Sequence, residues 1–236
     1  MAWAIDVLFY LFVKLADIFS GSLSDVFFDL TPMRSFILQV RTGQVIFLQV
    51  IAGFIVAIWA QLPKTQIGYR VLTLFLLISL LPPALTGHAG SQSLHQIAVI
   101  SWGVHILAIS LWSASVAALV YAGIFLPEKL YSYGMKFRRW ALFCFIATVI
   151  SGITNAYVRI SFYTALVGSE YGRLLIAKSA ITVLVALFGV YYRRRIFIRY
   201  THQYLFVRLL SMELFLMALA VMLGVLLSGT AFPRPN

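Results

Sequence analysis

One cysteine, four histidines and seven acidic residues are all that 236 positions contain of the side chains most often used for catalysis or metal binding. The lone Cys144 excludes an intrachain disulfide and any cluster held by several thiolates, and packing suits it best. Charge is scarce at 11% of residues, and no Pro/Gly/Ser stretch is long enough to separate two folded parts. A water-soluble globule needs far more charge than this on its surface.

Apolar residues take the place of charge. The chain is 62% hydrophobic, with 19 Phe, 12 Tyr and 5 Trp, and its mean hydropathy is +0.95. Crossing a hydrocarbon core of roughly 30 Å takes about 20 helical residues. Runs that approach or exceed this length fall at Ser35 to Trp59, Arg70 to Leu85, His95 to Phe125, Trp140 to Arg159, Leu174 to Tyr191 and Leu205 to Ser228. The expected fold is all-α, a polytopic transmembrane helix bundle of six spans with an N-terminal candidate for a seventh. That candidate, Trp3 to Phe19, carries Asp6, Lys14 and Asp17, so a surface-lying segment is the alternative. No Lys or Arg precedes it, which argues against a signal peptide. Residues 1–30 are accordingly an apolar segment and loop, and residues 31–236 a transmembrane domain that begins at Thr31-Pro32.

Basic residues collect on the cytoplasmic side of short loops. Loop 61–70 holds Lys64 and Arg70, loop 126–139 holds Lys129, Lys136, Arg138 and Arg139, and loop 192–208 holds Arg193, Arg194, Arg195, Arg199 and Arg208. The intervening segment Gly87 to Leu94 has no Lys or Arg. This alternation puts the three basic loops inside and the C-terminus outside. The formal charge of +11 then reports topology and contact with the lipid bilayer, not nucleic-acid binding.

Three of the four histidines, His88, His95 and His105, fall around one non-cytoplasmic loop and the helix after it. His88 and His95 flank a short loop containing Gly90, a spacing that lets two imidazoles converge on copper or zinc. Ten helical residues put His105 roughly 15 Å below His95, so one ion cannot bind both. Its plainer role is an interhelical hydrogen bond. Glu213, within the last apolar run, is expected near the depth of His105, and an intramembrane carboxylate marks a functional site by default, with a protonated carboxyl or a hydrogen bond to a neighbouring helix as the plainer reading. Met217 lies one turn further on the same face, where thioether sulfur suits Cu(I) and core packing is the plainer role. Asn155 and Lys178 fall in the outer thirds of their spans, as candidates for lining or gating a path. A structural ion pair is the default for Lys178.

These residues stand in blocks that resemble the copper resistance D (CopD) family of bacterial inner-membrane proteins. The blocks are Leu85-Thr-Gly-His88-Ala, His95 with Trp102 after it, Ser151-Gly-Ile-Thr-Asn155-Ala, Tyr171-Gly-Arg-Leu-Leu-Ile-Ala-Lys178, and Arg208 followed by Glu213. The resemblance implies copper transport or handling at the cytoplasmic membrane, in uptake, homeostasis or resistance, often with a periplasmic copper-binding partner of the CopC type. Copper is the ion implied and no catalytic turnover is expected. His88, His95, His105 and Glu213 are the candidate metal ligands, with Asn155, Met217 and Lys178 along the path. Two other classes compete with this reading. A b-type haem electron carrier needs axial histidines at matching depth, and only His105 lies deep. A scaffold subunit would bind no metal and hold a stable protein partner.

Overall fold

The computed structural model describes residues 30–62, 65–82, 95–159, 168–196 and 203–230. Regular structure among them is entirely helical: α1 Leu30–Gln39, α2 Arg41–Gln61, α3 Gln66–Ser79, α4 His95–Phe125, α5 Pro127–Arg159, α6 Glu170–Ile196 and α7 Gln203–Gly229. Five of these, α2, α4, α5, α6 and α7, are long and apolar enough to cross a bilayer. The chain is thus a multi-pass helical membrane protein. Large side chains such as Phe143 and Phe215 point outward, as they do where the solvent is hydrocarbon. Of the six expected spans, the one from Arg70 is represented by α3, whose 14 residues reach only about 21 Å. The N-terminal candidate helix, His88 and the tail Pro233 to Asn236 lie outside the described residues.

The first expected span divides in two. Val40 is extended, with φ −109 and ψ 121, and separates α1 from α2. A β-branched residue favours that conformation, and the turn is closed by Gln44, whose side-chain amide donates to the carbonyl of Leu38 at 3.1 Å. A Cβ on Gly43 would overlap the backbone carbonyl of Phe36, so only glycine lets the two helices approach this closely.

The expected loop at 126–139 is also corrected, because it contracts to Leu126 alone. Proline disfavours helical geometry in the residue before it and suits the first helical position, so Pro127 ends α4 and starts α5 at one step. Glu128 adds an acid in the first turn, where the helix dipole favours one. Lys129 to Arg139, expected in a loop, are helical. The loop expected at 192–208 is shortened in the same way, since α6 runs on through Arg195 to Ile196.

The chain divides into two compact units, Met1–Leu107 and Ala108–Asn236. In the first, α2 packs against α1 and α3. Its buried face is Gly43, Ile46, Val50, Gly53 and Ala57, the three-and-four spacing of one helix side. In the second, α6 packs closely on α7. The core of this unit takes Trp112, Val116 and Leu119 from α4, Ala141 and Cys144 from α5, and Leu210 and Met217 from α7.

Candidate functional site

Buried positions on α7 follow one stripe: Phe206, Leu210, Glu213, Met217, Ala220 and Leu227. The spacing is that of a core-facing helix side, and every member is apolar except one. Glu213 is 0% exposed and Met217, one turn on, is 2% exposed. A carboxylate therefore occupies the middle of a core position set.

Four hydroxyl groups in these spans resolve their hydrogen bonding locally. Ser113 donates to the carbonyl of Ile109, Ser151 to that of Ala147, Thr182 to that of Lys178 and Ser211 to that of Val207, each four residues back. The Glu213 carboxyl presents two oxygens, and the backbone N–H groups beside it in mid-helix are committed to the helix, so local backbone donors cannot satisfy them. Both Glu213 oxygens are buried without a hydrogen bond to any described residue. The indole Nε1 of Trp112 on α4 stands close enough to act as a favourable partner for the carboxyl, though short of a hydrogen bond of good geometry. Trp112 is itself locked by an edge-to-face contact with Phe145, with centroids 5.7 Å apart.

α5 brings a second polar line into the same unit. Cys144, Thr148 and Ser151 are buried at the three-and-four spacing, and Asn155 continues the series with its Nδ2 buried and without a hydrogen-bond partner among the described residues. Of these the sequence pointed to Asn155. The sequence did not point to Trp112 beside Glu213, nor to Thr148 on the buried side of α5. Thr148-x-x-Ser151-x-x-x-Asn155 was a usable signal, because its spacing puts all three on one helix side. Nothing comparable distinguishes Trp112 among five tryptophans.

Other expected site residues fall as follows. His105 lies in the first unit, partly buried, on the α4 side that also carries Ala98 and Ser101. Its ring stacks on Trp102 with centroids 5.9 Å apart and 7° between planes. Glu213 belongs to the second unit. His95 is the first residue of α4, and His88 lies outside the described residues. No three His, Cys, Asp or Glu side chains converge among the described residues. Lys178 of α6 reaches α7, where its Nζ stands 2.9 Å from the position of a Cβ on Gly224. Met217 is part of the apolar core.

Two family models match the chain. Residues 1–96 match the one described as "Copper resistance protein D-like, N-terminal domain", and residues 133–227 match "Copper resistance protein D". No curated protein and no solved structure matches it.

Proposed function

The chain belongs to the copper resistance protein D family, and from that membership we propose that it carries copper ions across the bacterial cytoplasmic membrane. In this reading His88 and His95 receive the ion at the outer face, and a periplasmic protein of the CopC type exchanges it there. His105, Asn155 and Glu213 form or gate the deeper path. Lys178 sets the charge towards its outer end. Copper is the cargo, and the chain does no covalent chemistry on it.

Glu213 carries this reading. A buried acceptor without a partner costs about 1–3 kcal/mol, and more when charged, so packing alone gives no reason to keep one in a stripe that is otherwise apolar. A cation passing through supplies what the described residues around it do not. Imidazole binds both oxidation states of copper, and the Met217 thioether next to Glu213 on the helix surface suits the reduced one.

Copper accumulation in cells with and without the intact gene tests the activity and gives its direction. Equal accumulation rejects transport. On purified protein, a copper titration of the His88→Ala, His95→Ala double variant is expected to lose a binding site. Unchanged stoichiometry and affinity would remove the outer pair from the path. A Soret band in the same preparation would favour the electron-carrier alternative.

A further inference from the structure

α5 is longer than a bilayer needs. Its 33 residues span about 50 Å against a hydrocarbon core of roughly 30 Å. The excess lies at its N-terminal end, where Glu128, Lys129, Lys136, Arg138 and Arg139 are found, and no Asp, Glu, Lys or Arg follows until Arg159. The boundary between headgroups and acyl chains therefore falls at Arg139-Trp140.

Side chains at this boundary are arranged for a ligand that is anionic at one end and apolar at the other. Met135, Lys136, Arg138, Arg139 and Trp140 line a cleft of about 600 Å³. The three basic residues are exposed, and among the described residues no ion pair takes up their charges. Lys136, Arg139 and Trp140 stand at i, i+3 and i+4, on one side of the helix. Just beyond, Trp140 and Phe143 are 65% and 67% exposed and meet edge to face with centroids 6.4 Å apart. An arginine fork matches two phosphate oxygens at once, a lysine adds a point charge, and an indole sits best at the level of the headgroups.

We propose that this cleft is a binding site for an anionic phospholipid, with the headgroup phosphate held by Lys136, Arg138 and Arg139 and the acyl chains lying along Trp140 and Phe143. The apolar part of the wall selects a lipid over free phosphate, which would gain nothing from the two exposed rings. Zwitterionic lipids carry the same phosphate but offset its charge, so they bind more weakly. The site is independent of the copper path, since none of its residues lies on it.

Quenching of tryptophan fluorescence by brominated lipids tests the proposal on the full chain reconstituted in bilayers. Brominated phosphatidylglycerol is expected to associate about tenfold more strongly than brominated phosphatidylcholine, the scale set by several basic residues at a membrane surface. The Trp140→Phe variant should lose this lipid-dependent component, and the Lys136→Gln, Arg138→Gln, Arg139→Gln triple variant should bring the two lipids level. These residues are exposed, so circular dichroism and elution volume should stay unchanged; if the triple variant aggregates, Arg139→Gln alone should reduce the preference in part. Equal quenching in the unmodified protein overturns the proposal, as does a preference that survives in the triple variant. Loss of the preference in excess inorganic phosphate would assign the cleft to a free anion instead.

Discussion

Lys178 holds its ammonium nitrogen 2.9 Å from the point where a Cβ on Gly224 would stand, so the glycine on α7 is what makes room for the charge on α6. The groups that would collide are one methyl and the far end of a flexible side chain. Gly224→Ala should therefore displace the charge without unsettling the fold. The thermal midpoint is expected to change by less than the equivalent of about 1 kcal/mol, while copper accumulation changes severalfold. A variant that accumulates copper like the parent would show that the position of Lys178 is irrelevant to the path.

Gly43 offers the opposite case. There the group in the way is the backbone carbonyl of Phe36, which cannot swing aside. Gly43→Ala should force α1 from α2 and destabilise the first unit by about 1–3 kcal/mol. A thermal-shift assay in detergent reads this directly, and a midpoint equal to that of the parent would contradict the helix-to-helix approach described above.

How far such relationships were legible beforehand differs between elements. The bounds of α4 coincide with the expected span from His95 to Phe125, because its apolar run is unbroken and a proline ends it. α5 was cut short in the sequence reading, because charge marks the edge of the membrane and does not mark the end of a helix. The break at Val40 carries no Gly or Pro at the break itself; it depends on Gln44 reaching the carbonyl of Leu38 and on Gly43 lying against Phe36 across the turn. At the site, Glu213 was evident as an acid in an apolar run. The lysine and its glycine are 46 positions apart, and only packing of α6 on α7 relates them.

Trp112 can be separated from its packing role. Phenylalanine keeps an aromatic ring for the contact with Phe145 but removes the indole N–H. Trp112→Phe should cost about 1–2 kcal/mol in stability, for the space that the smaller ring leaves in the core. If the N–H orients the Glu213 carboxyl, copper binding should weaken by about tenfold, the value of roughly one hydrogen bond to a charged group. Affinity that follows stability alone, and is restored by lower temperature, would reduce Trp112 to filler.

The decisive variant is Glu213→Leu, because function and stability predict opposite outcomes. Were Glu213 a structural residue, its carboxyl would be held by donors from neighbouring helices, and replacing it would leave those donors buried and unpaired at about 1–3 kcal/mol each. The described residues offer it only Trp112 Nε1, and that without a formed hydrogen bond. Leucine in place of the carboxylate completes the apolar stripe of Leu210, Met217 and Ala220. The expected result is a thermal midpoint equal to or above that of the parent, together with loss of copper movement, the pattern of a site kept for activity at a cost in stability. Glu213→Gln should likewise fold and fail to transport, since it keeps the shape and cannot ionise when a cation arrives. If instead Glu213→Leu unfolds the protein while Glu213→Gln transports normally, the carboxyl is a hydrogen-bonding strut and the path lies elsewhere.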